Sequence, residues 1–314
     1  MCSSDLVTGG YAGIGLETTH ALAEAGAAVI VPARTPDKAR HALSGIPRVK
    51  QKTLDLLDPA SIDAFATEFL ATGRPLHILI NNAGIMAAPL TRDGRGYESQ
   101  FSANHLGHFQ LTARLWPALR KARGARVISV SSWGHRRSPV VFEDPNFERR
   151  DYDRYSAFGQ SKTANILFVL ELDRRGKAEG VRAFSLRPGT IIGAGLGKYV
   201  SREELRAFGL VDENGKPILD PAKNTKTPEQ GAATSVWCAT SPQLNGMGGV
   251  YCENCDIAPV TPKDGEANAL SQFSRLRQPG STSHGVMPYA IDPAGARRLW
   301  SLSERLTGVK FSAT

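Results

Sequence analysis

Short apolar runs alternate along this chain with longer segments carrying helix signals, and no other feature restricts the fold so strongly. The runs are Ala27–Val31, Val49–Leu54, Leu76–Asn81, Arg126–Val130 and Val181–Leu186, with Gly249–Cys252 as a last strand. Between them lie helix candidates at Gly13–Ala25, Pro36–Leu43, Pro59–Ala71, Gly96–Arg123 and Tyr155–Lys177. A further helix opens at Pro228, with Thr227 as its cap and proline at the first helical position. Strands separated by helices return by crossovers rather than hairpins, so they pair in parallel and need helices on both faces. The expected fold is α/β, a doubly wound parallel sheet. No Pro/Gly/Ser linker or internal repeat divides the chain. One domain over 1–314 is expected, with an insertion near 193–226 and a tail from about 256.

The amino terminus fits this scheme badly. A central strand should supply five or six apolar residues before the first glycine turn, and only Leu6 and Val7 qualify. Cys2-Ser3-Ser4-Asp5 does not read as a strand, so the first strand is expected to be truncated and the sheet centre underfilled.

Composition narrows the function classes. With 41% hydrophobic and 22% charged residues the chain lies in the globular range. No run approaches the roughly 18 apolar residues of a membrane span, and the start lacks the basic and apolar regions of a signal peptide. Four cysteines (Cys2, Cys238, Cys252 and Cys255) are too few for a disulfide framework. A cytoplasmic protein is expected. The net charge is +8, yet its basic clusters (Arg120 to Arg123, Arg136-Arg137, Arg149-Arg150) have no interleaved stacking aromatics. That pattern favours a phosphorylated small molecule over nucleic acid.

Thr8-Gly9-Gly10-Tyr11-Ala12-Gly13-Ile14-Gly15 joins the first strand stub to a helix. Glycines there let the backbone approach a pyrophosphate held at the helix N-terminus. Its TGxxxGxG spacing, with Asn81-Asn82-Ala83-Gly84 after the third full strand run, resembles the short-chain dehydrogenase/reductase family. The resemblance covers about residues 6 to 260. Ser161-Lys162-Thr163-Ala164-Asn165 and the insertion 133–151 are most similar to its retinol-dehydrogenase-like and related bacterial members.

The resemblance implies a Rossmann-type fold and a nicotinamide cofactor. Gly9, Tyr11, Ala12, Gly13, Ile14 and Gly15 would form the phosphate loop, and Asn82, Ala83 and Gly84 the second wall. Asp55, beside Leu56, would bond the adenine amino group; Pro188, Gly189 and Ile191 would contact the nicotinamide end. Ala33 stands where an acidic residue would hold a ribose 2′-OH, and Arg34 follows, a donor suited to a 2′-phosphate. NADP(H) is the expected cofactor.

The family pattern also implies a catalytic set. Asn104, Ser132 and Lys162 match its asparagine, serine and lysine, but its proton-transferring tyrosine is replaced by Phe158. A phenyl ring transfers no proton, and losing a general acid costs about 10²–10⁴ in rate. Other positions depart too: Arg187 stands where relatives often have histidine, and Gly193 where threonine is usual. Three readings stay open. The chain is an impaired reductase of a hydrophobic ketone, aldehyde or secondary alcohol; it is a non-catalytic NADP(H)-binding module; or Tyr155 serves instead. Tyr155 precedes Lys162 by seven positions, a spacing that resembles the C=C-reducing bacterial enoyl reductases. The insertion offers Leu196, Tyr199, Val200, Leu205, Phe208 and Leu210 as an apolar lid. His105, His108 and His135 lack ligand-spaced partners, and Cys252-Glu253-Asn254-Cys255 is a lone CxxC, so no metal is expected. A homo-oligomer is compatible with all three readings.

Overall fold

The structure is a computed structural model that describes residues 3–193, 195–261 and 284–311. Its strands are β1 (Ser4–Val7), β2 (Ala28–Ala33), β3 (Val49–Thr53), β4 (Ile78–Asn81), β5 (Ala125–Val130), β6 (Val181–Arg187), β7 (Thr190–Ile191), β8 (Thr225–Lys226), β9 (Val250–Glu253) and β10 (Asp256–Ile257). Eight of them form one sheet in the order β10-β9-β6-β5-β4-β1-β2-β3, and β7 pairs with β8 apart from it. All pairs within the large sheet are parallel except the β9–β10 hairpin. The chain steps from β1 outward through β2 and β3, then back across to β4. Beside β1 and β4 the crossovers therefore leave to opposite faces, which opens a crevice beyond the carboxyl ends of the strands.

Two apolar layers cover the sheet. On one face Leu22, Ala23, Val29, Val31, Ile80, Ile128, Leu186 and Cys238 interlock beneath α1 (Gly13–Glu24), α2 (Pro36–Ala42) and a helix at Pro228–Thr240. On the other, Phe65, Phe109, Trp116, Phe168 and Trp300 belong to a second cluster under helices α3 (Pro59–Ala71), α4 (Ser99–Phe101), α5 (Gly107–Arg114), α6 (Trp116–Lys121) and α7 (Arg154–Gly176). The lid region holds α8 (Arg202–Ala207), and the helix at Pro228–Thr240 is α9. Thr227 and Gln230 form a reciprocal capping box at its start, as the Thr-Pro signal implied.

Two expectations need correction. The first strand is not truncated: Ser4–Val7 is buried throughout and pairs with β2 on one side and β4 on the other. Its polar residues find partners, since Arg74 donates to Ser4 Oγ at 2.7 Å, the Ser4 amide donates to His77 Nδ1 at 3.1 Å, and Ser3 bonds Asp5. The segment read as one helix over Gly96–Arg123 starts at Ser99, passes through a π turn at Ser102–Leu106 and breaks at Leu115, ahead of Pro117. Within the tail, α10 (Pro293–Thr307), capped by Asp292, lays Leu299, Trp300 and Leu302 into the second cluster. Residues 262–283 lie outside the described residues.

Candidate active site

A cleft of about 390 Å³ opens at the crevice beside β1 and β4. Its first wall is the turn from β1 into α1. Gly9 has φ +65°, a conformation costly for side chains, and a Cβ at Gly15 would lie 2.4 Å from the Gly9 carbonyl oxygen. Tyr11, Ala12 and Ile14 line the cleft, while Gly13 and Gly15 shape the turn behind them.

The second wall follows β4. Thr8 Oγ1 accepts from the amides of Asn82 (2.9 Å) and Ala83 (3.0 Å), and Asn82 Nδ2 donates to the Thr8 carbonyl (2.8 Å). These bonds clamp the Asn82-Ala83-Gly84 turn against the glycine loop. Thr8, the first residue of the glycine motif, shapes the site though it was not among the expected cofactor-binding residues.

At one end of the cleft stand Arg34 and Lys38, with Asp55, Leu56 and Leu57 opposite. Ala33, the last residue of β2, is buried and brings no carboxylate to this end. Asp55 Oδ1 accepts from the Leu57 amide at 3.0 Å, which fixes the turn after β3. Lys38 was not foreseen; its spacing of four from Arg34 was the available signal. At the other end are Ser132, Lys162, Pro188, Gly189 and Ile191, joined by Leu196 and Lys198 from the lid region.

Lys162 is 3% exposed and its ammonium donates to the Val130 carbonyl at 3.0 Å. Burial pushes its pKa down to about 8. The Lys162 carbonyl accepts from Ser131 Oγ at 2.8 Å, so the end of β5 holds both ends of this residue. Asn104, on the π turn, accepts from the Ile85 amide at 2.8 Å and donates to the Ile85 carbonyl and Ser161 Oγ. A Cβ on Gly84 would lie 3.0 Å from Asn104 Oδ1 and 3.6 Å from Lys162 Nζ, so the three meet at one point.

Ser132 Oγ accepts from the Gly134 amide at 3.0 Å. A Cβ on Gly134 would stand 2.8 Å from the Phe158 ring and 3.4 Å from Ser132 Oγ, which places ring and hydroxyl on the same side of that turn. The Lys162 ammonium lies 5.6 Å from the Phe158 centroid. Asn104, Ser132, Phe158 and Lys162 thus lie close together, with a phenyl ring among them.

Tyr155 is placed elsewhere. It does not line the cleft; its hydroxyl donates to Glu204 of α8 at 2.9 Å, and its ring packs edge-on against Phe208. Burial and the Glu204 carboxylate push its pKa up to about 12. Arg154 also bonds Glu204 and donates to the Tyr199 carbonyl at 2.9 Å, so the first turn of α7 anchors the lid region.

Other candidates are structural. His105, His108 and His135 are buried, with pKa values pushed down to about 3, 4 and 3 by burial, and each bonds a neighbouring protein group. Cys252 is buried in β9, and Cys255 lies in the turn after it. Among the described residues no group of His, Cys, Asp or Glu could hold a metal ion, and no helix is long and apolar enough to cross a membrane.

A sheet in this order with a glycine turn at its switch point is the doubly wound arrangement whose ligands bind in the crevice beyond the strands. The short chain dehydrogenase family model matches residues 5–204. A probable oxidoreductase of Streptomyces lividans is 45% identical over 94% of both chains, and human retinol dehydrogenase 12 is 34% identical over 98% of this chain and 86% of its own. The crystal structure of an uncharacterized protein from Mycobacterium Paratuberculosis superposes with a TM-score of 0.71 at 31% identity, covering 98% of this chain and 94% of that one. The chain belongs to the short-chain dehydrogenase/reductase family, and its sequence is similar to that family's retinol dehydrogenases.

Proposed function

We propose that this oxidoreductase uses NADP(H) and acts on a hydrophobic ketone, aldehyde or secondary alcohol, with turnover held back by Phe158. The observation that carries the reading is the convergence of Ser132, Lys162 and Asn104 around a ring without a hydroxyl. The cofactor fits the residues present. A glycine cradle leaves room for a pyrophosphate, a buried ammonium opens onto the cleft, and Arg34 and Lys38, with Ala33 rather than an acid ending β2, suit a 2′-phosphate. When bound, the dinucleotide supplies or accepts a hydride at the substrate carbon.

The chain's own groups do the rest. Ser132 Oγ accepts from the Gly134 amide, which leaves its O–H free to donate to a substrate oxygen. Lys162 keeps its ammonium within a wall that excludes water, where its charge opposes build-up of further positive charge and favours a developing oxyanion. Phe158 fills the place between them without supplying a proton. The segment 193–226 is read as the lid, with Leu196 facing the cleft and selecting apolar substrates. The test is NADPH oxidation against a panel of apolar ketones and aldehydes, with the alcohol product measured. Slow reduction supports the reading, whereas NADPH binding with no alcohol formed favours a non-catalytic binding module.

A further inference from the structure

We infer that His108 is a positioning residue that ties the Asn104 turn to the cofactor wall through a directed hydrogen-bond chain. This inference rests on the reading of the cleft as the dinucleotide site. His108 is 1% exposed and stands on α5, one turn beyond Asn104, and neither the glycine loop nor the catalytic pattern includes it.

The chain's direction follows from donor and acceptor chemistry. The backbone carbonyl of Asn104 can only accept, so His108 Nδ1, 3.0 Å away, must carry the proton. Burial keeps the ring neutral, with its pKa pushed down to about 4, so Nε2 is bare. Of the two acceptors near the threonine hydroxyl, this bare nitrogen at 2.9 Å is closer than the Ile80 carbonyl at 3.3 Å and takes its proton. That commits both lone pairs of Thr8 Oγ1 to incoming donors, and two arrive: the amides of Asn82 at 2.9 Å and Ala83 at 3.0 Å. The Ile80 carbonyl also lies 3.3 Å from Thr8 Oγ1 and shares the Asn82 amide at 3.0 Å, but turning the threonine proton to it would leave His108 Nε2 buried without a donor.

His105, on the π turn, holds the opposite tautomer. Ser303 Oγ donates to the Leu299 carbonyl at 2.8 Å, so it accepts at 2.7 Å from His105 Nε2. His105 therefore faces α10 and plays no part in the cleft. His108, in the helix that follows the π turn, bonds Thr8 of the glycine-turn wall and the Asn104 carbonyl at once. The consequence is that Asn104 and the Asn82-Ala83 turn move as one unit.

The test pairs His108→Leu with Thr8→Val, Thr8→Ser and the double variant, all in the full chain. Amide hydrogen exchange at Asn82 and Ala83 in the cofactor-free protein should quicken at least tenfold in His108→Leu and in Thr8→Val, and stay near wild type in Thr8→Ser. The double variant should exchange no faster than the worse single one, since both break one chain. Nitrogen-15 histidine spectra should assign His108 as the Nδ1–H tautomer. NADPH affinity should fall with the same pattern. Additive effects, an Nε2–H tautomer, or a lowered unfolding midpoint with unchanged exchange at Asn82 and Ala83 would overturn the inference. If the chain bound no dinucleotide, the reading of the cleft would fail, while the exchange and tautomer data would still decide the role of His108.

Discussion

The Lys162 ammonium lies 5.6 Å from the centroid of the Phe158 ring and forms no ion pair among the described residues. A cation held against an aromatic face in a dry site gains on the order of 1 kcal/mol from the ring quadrupole. A phenol in the same place would instead have its pKa lowered by that charge, as catalysis needs. The same geometry that stabilises Phe158 would activate a tyrosine, so the lysine's burial is understood only together with residue 158.

Cofactor choice turns on Arg34, with Lys38 beside it at the cleft end. Arg34→Ala should weaken NADPH binding by about 1.5–3 kcal/mol, the scale of a charge-assisted hydrogen bond. NADH affinity should barely change, since it presents no 2′-phosphate. Titration of both dinucleotides against both proteins checks this, and matching NADPH curves would remove Arg34 from the account.

The central strand carries a pH dependence. Burial raises the Asp5 carboxyl to about 6 from its ordinary 3.8, so its contribution to stability is intact below about pH 4 and lost as pH rises through 6. Two units correspond to about 3 kcal/mol at neutral pH. Asp5→Asn should therefore raise the melting temperature by several degrees at pH 7.5 and change it little at pH 4. An equal shift at both pH values would rule out ionisation as the cause.

Tyr155 is predicted to steady the lid rather than move a proton. Tyr155→Phe and Glu204→Gln should keep kcat for ketone reduction while raising KM roughly five-fold, about 1 kcal/mol for a partly exposed hydrogen bond. Hydrogen exchange in α8 should quicken in both. Loss of all turnover in Tyr155→Phe would instead make it the proton donor, in line with the enoyl-reductase spacing.

The cleft was more legible than the strand behind it, for physical reasons. The glycine loop and the Asn82 turn declare themselves by motif spacing, and Lys162 and Arg34 follow from the family those motifs resemble. Ser4 and Asp5 do not, because strand propensity depends on neighbours and theirs are distant: Arg74 and His77 complete the polar groups of Ser4. The π turn is equally invisible. It is set where Gly107 packs so closely on the turn after β3 that a Cβ would lie 2.4 Å from the Leu56 carbonyl oxygen. α10 was not read, although Asp292-Pro293 is a start signal and Leu299, Leu302 and Leu306 recur at helical spacing. Lys38 and Lys198 reach the cleft through folding of segments whose own sequence names no ligand.

The most direct test is the rate of carbonyl reduction by Phe158→Tyr, measured with a ketone and with a conjugated enone, following C=O and C=C products separately. Restoring the hydroxyl one helical turn from Lys162 should raise alcohol formation from the ketone by roughly 10²-fold or more, with NADPH affinity nearly unchanged. No gain in alcohol formation from a variant that folds and binds NADPH would contradict the placement of Phe158 at the proton-donor position.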